Sequence, residues 1–405
     1  MNLKKNINAT IRDSFIIWRN EFRNIFSDAG VIIFFIVAPL LYPLLYGFIY
    51  DNETVKEVPL VVVDNSNSDK SRQFIRLCDA TRDVKIVGKC ANMEEAKQML
   101  KEKKAYGIML IPKDFNKNII RGEKAYISLY SDMSSLLYYK AFLLTLTEVS
   151  LNMGEEIQIE NMSGATARQE EIAVSPMTYE NITFFNPKSG FASFLIPAML
   201  ILVIQQTLLL GISILSGAAR QEARMHESIN ARSCFSVSHF VLSRFRVFAH
   251  FHIIFGKALC YMMIYSLMTV YLLCIVPRIF GLPQEGDGLA ILLFMLPYLL
   301  ACIFFSMTLT VFVYDRESPF VLFVFTSVLF LFISGISWPA SAIPWYWKGI
   351  SYLVPSTLGI QGFVKLNTMG ATLRDVSFEY LMLWGQTAVY FIMACIFFQR
   401  KIVMK

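Results

Sequence analysis

Charged residues are scarce in this sequence, and their scarcity excludes an ordinary soluble protein. Of the 405 residues only 17% are Asp, Glu, Lys or Arg, whereas 55% are hydrophobic. Soluble domains carry roughly 25% charged residues. The apolar residues are concentrated in uncharged runs of about 20 residues, the length at which a helix crosses a bilayer. We therefore predict a polytopic membrane protein.

The chain also lacks a nucleotide-binding loop of the form GxxxxGK[ST], so we predict no ATP site of its own. The segment "FGKAL" at 255–259 has a Gly-Lys pair but neither the earlier glycine nor the hydroxyl residue. The seven cysteines and four histidines show no metal-ligand spacing. Asp64 precedes "NSNSD", which is typical of turns and helix caps. We predict no catalytic residue, no metal, no bound cofactor and no enzymatic activity.

Ionisable residues are missing from the middle of the apolar runs, which argues against an ion-coupled carrier. The polar residues that are present are uncharged. We predict that a substrate pathway includes Gln205, Gln206, Ser334 and Ser337. The alternative is that they form hydrogen bonds between helices, worth about 1 kcal/mol each.

Six apolar runs alternate with charged segments. The predicted spans are Gly30–Tyr50, Phe191–Gly217, Ala258–Val276, Gly288–Tyr314, Ser318–Ser337 and Tyr380–Gln399. Lys and Arg cluster at the N-terminus, between spans two and three, and in the C-terminal tail. Such clusters mark the cytoplasmic side, so both termini are expected there. The net charge of +6 thus reflects topology, and no nucleic-acid partner is predicted.

The first 29 residues predict an amphipathic helix on the cytoplasmic face of the membrane. Its apolar residues recur at spacings of three and four, and they are Ile11, Phe15, Trp18, Phe22 and Ile25. Arg12, Arg19 and Arg23 fall on another face. Trp and Arg on opposite faces are typical of interfacial helices. The alternative is a charged leader that only orients the first span.

Residues 51–190 predict an extracytoplasmic α/β domain between spans one and two. The β-branched run "VPLVVVD" at 58–64 begins an alternation of strands and helices, which favours βαβ units on one sheet. A helix of about seven turns follows from residue 134. Cys78 and Cys90 lie in this domain, and a disulfide between them is left open.

The stretch "SGISWPASAIPWYWKGISYLVPSTLGIQGF" at 334–363 holds three of the five tryptophans. Two short helices begin at Pro344 and Pro355, where proline is tolerated at the first helical turn. Neither is long enough to span a membrane. We predict an external re-entrant hairpin over 338–368, with interface residues that include Trp338, Pro339 and Trp345.

Several of these motifs together resemble the type-2 ABC export permeases, and the likeness covers essentially the whole chain. "PLLYPLLYGFIY" followed by "VPLVVVDNSNSDKSRQFI" is similar to the branch with a large external domain. "RQEARMHESI" is loosely similar to the family's charged segment after span two, but lacks its acidic-Gly-Thr pattern. The span-five exit and hairpin carry the most specific likeness.

The resemblance implies a membrane subunit of an exporter for an amphiphilic or hydrophobic substrate. A separate ABC ATP-binding subunit would bind ATP and Mg and would dock on a coupling segment at 218–257 and on the N-terminal helix. The implied contact residues are Gln221, Glu222, Arg224, His226, Glu227, Arg12 and Arg19. A second permease copy, identical or related, would complete the pathway between spans two and five.

The implied location is the bacterial inner membrane, with membrane lipid and a periplasmic adaptor as further partners. A different class of function remains open at this point: a receptor or tether whose external α/β domain binds a ligand while the spans anchor it. Six spans are more than an anchor needs. The expected fold is therefore an α-helical polytopic membrane protein with six transmembrane helices and an extracytoplasmic α/β domain.

Overall fold

The computed structural model describes residues 2–50, 55–161, 184–186, 190–229 and 248–403. The chain divides into two compact units. One comprises Met1–Glu53 and Thr183–Lys405, and the other comprises Thr54–Ile182. The first unit is helical in its described parts, whereas the second is a small α/β unit.

Two helices begin the chain, α1 (Asn2–Ser27) and α2 (Ala29–Ile49), the latter with a π-helical turn at Ile33–Val37. They are separated at Asp28, whose Oδ1 accepts hydrogen bonds from the backbone N–H groups of Gly30 (2.8 Å) and Val31 (3.3 Å). A capped start of this kind satisfies donors that would otherwise be unpaired at the helix end.

Strands and helices alternate in the α/β unit, as the sequence predicts. The elements are β1 (Val58–Asp64), α3 (Asp69–Asp79), β2 (Val84–Lys89), α4 (Met93–Lys101), β3 (Gly107–Ile111), α5 (Phe115–Ile120), β4 (Ser128–Ser131) and α6 (Leu136–Asn161). The sheet order is β2-β1-β3-β4, with β1 parallel to its two neighbours and β4 antiparallel to β3. The central strand β1 is apolar along most of its length because both of its faces are covered.

Asp64 forms a turn at the end of β1, as predicted. Its Oδ1 accepts from the backbone N–H groups of Ser66 and Asn67, both at 3.0 Å, and its Oδ2 accepts from Ser71 Oγ at 2.8 Å. Ser68 caps α3 through the backbone N–H of Ser71 at 3.1 Å. The carboxylate is therefore engaged in local structure.

Cys78 and Cys90 are both free thiols, so the disulfide left open above is not present. Cys78 is buried with α3 on one face of the sheet, whereas Cys90 packs beside Met99 of α4 on the other. The sheet between them prevents a bond. Burial, helped by the neighbouring Asp79 charge, raises the pKa of the Cys78 thiol to about 12, so its thiolate is scarce at neutral pH.

The remaining helices complete the larger unit. They are α7 (Phe191–Ile229), α8 (Phe248–Val270, continued by Tyr271–Ile275 and Val276–Ile279), α9 (Gly288–Leu309), α10 (Ser318–Ile333), α11 (Trp345–Ser351), α12 (Pro355–Thr368) and α13 (Ser377–Val403). Their largest buried residues, among them Tyr261, Tyr265 and Tyr298, belong to one continuous core.

Five helical segments in the described part of the chain are long and apolar enough to cross a membrane. They are Ala29–Ile49, Phe191–Met225, Ile253–Ile279, Gly288–Phe312 and Ser377–Phe398. The sixth predicted span is the shorter apolar helix α10, of 16 residues. It ends before the predicted Ser337 because Gly335, with φ +89°, turns the chain. The count of six therefore stays a prediction.

Helix α1 packs along α8 at a glycine. A Cβ on Gly256 would lie 2.8 Å from the carbonyl oxygen of Ser14, so the two backbones approach closely. Beside this contact Glu21 is buried and pairs with Lys257 at 3.0 Å, while Tyr261 donates to the same carboxylate. Lys257 of the "FGKAL" segment thus joins two helices.

Candidate functional site

A cavity of about 370 Å³ lies between α2, α7 and α10. Its wall is mainly apolar, with Phe34, Leu202 and Phe323 among the residues that form it. The volume falls within the range of ligand pockets, roughly 300–1,000 Å³. We call this space the span cavity.

Gln206 is the polar residue of α7 that makes the span cavity suited to binding. Its side chain is only 8% exposed, and neither Oε1 nor Nε2 has a hydrogen-bond partner among the described residues. Its neighbour Thr207, by contrast, accepts from Tyr265 OH at 3.0 Å and donates to the Val203 carbonyl at 2.7 Å. A buried amide without a partner is costly, so a ligand that supplies hydrogen bonds would be stabilised here.

Gln205 lies outside the wall of the span cavity, although it is the adjacent residue. It is fully buried, and its Oε1 accepts from the backbone N–H of Ser356 at 2.6 Å. Ser356 is in the first turn of α12, where N–H groups lack partners within the helix. Gln205 therefore joins α7 to the second helix of the predicted hairpin, a role nearer to the alternative interpretation of these glutamines.

The hairpin consists of two helices in different surroundings. The first, α11, is exposed: Trp345 is 84% accessible, and Trp338, Pro339 and Pro344 before it are exposed too. The second, α12, begins at the buried Pro355 and packs against α7, α9 and α13. The re-entrant placement of the hairpin stays a prediction, but the structure shows that α12 is buried among other helices whereas α11 is exposed.

Small residues and neutral hydrogen bonds hold α12 and the turn before it. A Cβ on Gly359 would lie 2.4 Å from the ring of Tyr298, so only glycine allows this approach. Gln386 of α13 donates to the Tyr352 carbonyl at 2.6 Å, and Tyr390 donates to the Leu353 carbonyl. The two carbonyl groups in the turn before α12 are thus paired with side chains of α13.

The two predicted pathway serines do not meet Gln206. Ser334 is buried and donates to the Leu331 carbonyl at 2.7 Å, while Ser337 is exposed beyond the end of α10. Ser327, in the middle of α10, contributes to the wall of the span cavity instead. The sequence signal for Ser327 was an uncharged polar residue in the middle of an apolar run.

At the C-terminal end of α7 the predicted contact residues differ in their engagement. Gln221 and Glu222 are exposed. Arg224 is also exposed, but it pairs with Asp315 and donates to the Tyr314 carbonyl at 2.7 Å. Part of the predicted docking surface therefore makes contacts within the chain.

Arg220, which was not among the predicted site residues, reaches the same connection between α9 and α10. It donates to the carbonyl of Thr310 at 2.6 Å and to that of Val313. A Cβ on Gly217 would lie 2.5 Å from the Asp315 carbonyl oxygen. One face of α7 thus holds the 310–315 connection through a close backbone contact and two arginines.

The same connection also contacts the start of α2. Arg316 pairs with Asp28 at 2.5 Å. The charged letters "DRE" at 315–317, between two long apolar runs, were the sequence signal for this contact. We call the connection, with Arg220, Arg224 and Asp28, the arginine clamp.

Other predicted contact residues remain outside the clamp. Arg12 and Arg19 on α1 are exposed. The side chains of His226 and Glu227 lie outside the described residues. No group of three or more His, Cys, Asp or Glu side chains suited to a metal ion occurs in the part of the chain that the structure describes.

Comparison with known families adds one finding to this geometry. A family model described as "ABC-2 family transporter protein" matches residues 29–396, nearly the whole chain. A comparison with curated proteins finds no match.

Proposed function

Because this chain belongs to the ABC-2 family of transporter proteins, we propose that it is the permease of an ATP-driven exporter of amphiphilic or hydrophobic molecules. The family consists of multi-pass membrane components that lack an ATP-binding domain and pair with an ABC ATP-binding subunit. Export, the nature of the substrate and the remaining partners are our proposal.

The span cavity is the observation that carries the choice of substrate. Its wall is apolar, and its one buried unpartnered side chain among the described residues, Gln206, is neutral. Such a site favours a hydrophobic body with an uncharged hydrogen-bonding group. An ion would lose its hydration without gaining an opposite charge.

Helix α7 supplies a physical link between an ATP-binding subunit and this cavity. An ATP-binding subunit that docks on the exposed Gln221 and Glu222 would push on the end of α7. The arginine clamp would carry that displacement to α10, and the Gln205–Ser356 bond would carry it to α12. Helix α10, which lines the span cavity opposite Gln206, would then move, and this movement would change the shape of the cavity.

We further propose that two permease copies assemble in a bacterial inner membrane, with both termini in the cytoplasm and the α/β unit outside. An adaptor protein in the periplasm would bind that unit. ATP and Mg would be bound by the partner subunit.

The first experiment is a mild-detergent purification of the tagged chain, followed by mass spectrometry and an ATPase assay. We expect one ATP-binding subunit per permease and vanadate-sensitive hydrolysis. Purification without a nucleotide-binding protein, and without hydrolysis, would contradict the proposal and favour a receptor or tether.

The second experiment fills the span cavity in the same complex. Ser327→Trp places an indole in the cavity wall, whereas Leu329→Trp, on the same helix, is an exposed control outside it. We expect the Ser327 variant to lose substrate-stimulated ATPase activity while it keeps its basal activity, and the control to keep both. Equal stimulation in the two variants would place the substrate elsewhere.

A further inference from the structure

The α/β unit contains a cavity of about 630 Å³, which is larger than the span cavity. It lies between α6 and residues 123–129, which lead into β4 and which we call the strand segment. Phe74 of α3 and Phe115 of α5 also line the cavity. Its volume is near the middle of the range usual for small-molecule sites. We call it the α6 cavity.

Two apolar faces are directed into the α6 cavity without covering each other. Along the strand segment, Ala125, Ile127 and Leu129 line the cavity and are half-buried, while the alternate residues are exposed. This alternation shows which face of the segment is apolar.

On the opposite side of the cavity, α6 contributes apolar side chains that recur at the spacing of one helical face. Leu143 and Leu151 line the cavity, yet they remain 44% and 53% exposed. Apolar surface of this kind is stabilised when a hydrocarbon group replaces water against it. The cavity therefore fits a hydrophobic body inserted between α6 and the strand segment.

Glycine at position 154 keeps the cavity open. Gly154 is inside α6, where glycine is less favourable than alanine for the helix. A Cβ at this position would meet no atom within 4 Å, because it would point into open space. The absence of a side chain thus preserves volume in the cavity wall.

The charged residues that line the cavity are one acidic and one basic residue. Glu123 and Lys124 are adjacent and exposed, and neither forms an ion pair with another described residue. Thr147 and Ser150 add hydroxyl groups from α6. One carboxylate beside one ammonium complements a head group that carries both signs of charge, and it gives no preference to an anion.

We propose that the α6 cavity binds a single-chain zwitterionic amphiphile, with its chain between α6 and the strand segment and its head group at Glu123 and Lys124. This site is separate from the span cavity, and its occupancy requires neither ATP nor a partner subunit. A failed binding test would therefore leave the proposed transport function intact.

The test uses the full chain in nanodiscs and a lysophosphatidylcholine with a photoreactive diazirine in its acyl chain. After illumination, adducts are mapped by mass spectrometry. We expect adducts on α6 and on residues 122–129, and competition by unlabelled lysophosphatidylcholine. In Gly154→Phe, whose ring fills the cavity, these adducts should fall by about tenfold, which corresponds to one decade of affinity.

Gly88→Phe is the matched control, since a Cβ there meets only the Met99 methyl at 3.8 Å and the site is outside the α6 cavity. It should label like the unsubstituted chain, and both variants should elute as the unsubstituted chain does on gel filtration. Equal labelling of Gly154→Phe and Gly88→Phe would overturn the proposal. Equal labelling by a diacyl phosphatidylcholine probe would overturn the single-chain class.

The chain itself is a competing occupant. A photoreactive amino acid at Leu151 should crosslink to added lysophosphatidylcholine. A crosslink to residues 162–183 of the same chain instead, unchanged by added amphiphile, would show that the cavity is filled internally and would overturn the proposal.

Discussion

Helix α7 is held in two places by opposite kinds of contact. At its middle, the buried and uncharged Gln205 holds α12 through one hydrogen bond of 2.6 Å. At its C-terminal end, Arg220 and Arg224 hold the connection between α9 and α10, and the Arg224–Asp315 pair is half exposed. The same helix thus uses neutral groups where it is buried and charged groups where it is accessible.

The difference follows from the cost of removing charge from water. A buried ion loses several kcal/mol of hydration, whereas a buried amide loses less and recovers part of it through one bond, as Gln205 does through Oε1. An exposed ion pair costs little, but it also contributes little, about 0–1 kcal/mol. The stability of the contact at the C-terminal end of α7 must therefore have a source other than charge. We attribute it to the close packing of the two backbones at Gly217.

The largest expected effect comes from Gly217→Leu. The nearest atom to a new Cβ is a backbone oxygen, that of Asp315 at 2.5 Å, which cannot rotate away. Overpacking of this kind should destabilise the chain by about 3 kcal/mol. The free energy of unfolding in mixed micelles measures it.

Gly385→Leu, on α13, is the control for that substitution. A Cβ at Gly385 meets nothing within 4 Å, so its stability should stay close to that of the unsubstituted chain. If the two variants lost the same stability, the backbone contact at Gly217 would not be what holds the clamp.

The second-largest loss of stability should come from removing the neutral hydrogen bond of Gln205. Gln205→Leu leaves the Ser356 N–H unpaired in a buried position, and we expect a loss of about 2 kcal/mol. Gln206→Leu removes an amide without a partner, so the same measurement should show no loss. Equal losses at the two adjacent positions would mean that the hydrogen bond to Ser356 contributes nothing.

The two regions also differ in how far the sequence could predict them. The positions of the prolines, the number of tryptophans and the short length of the predicted helices indicated a non-spanning hairpin at 338–368. The structure has two short helices there. The burial of α12 was not predictable, because it depends on Gly359 meeting Tyr298 of another helix. The periodicity of apolar residues in a sequence indicates which face of a helix is buried, but it does not identify the helix that covers that face.

At the C-terminal end of α7 the limit was different. Arg224 was predicted to contact an ATP-binding subunit, whereas Arg220 was not, although their spacing places both on one helical face. Their partners lie 90 or more residues later in the chain, in a segment that the sequence marks only as a break between spans. Charge sign predicts topology, but it does not identify which carboxylate pairs with which arginine.

The smallest expected effect is that of the exposed ion pair itself. Arg224→Gln should change the free energy of unfolding by no more than about 0.5 kcal/mol, because both groups are about half exposed and screened by salt. Asp315→Asn should match it, and the double variant should show little coupling beyond the single changes. A coupling as large as the loss in Gln205→Leu would contradict this ranking, because the charged contact would then be as strong as the neutral one although its groups are half exposed.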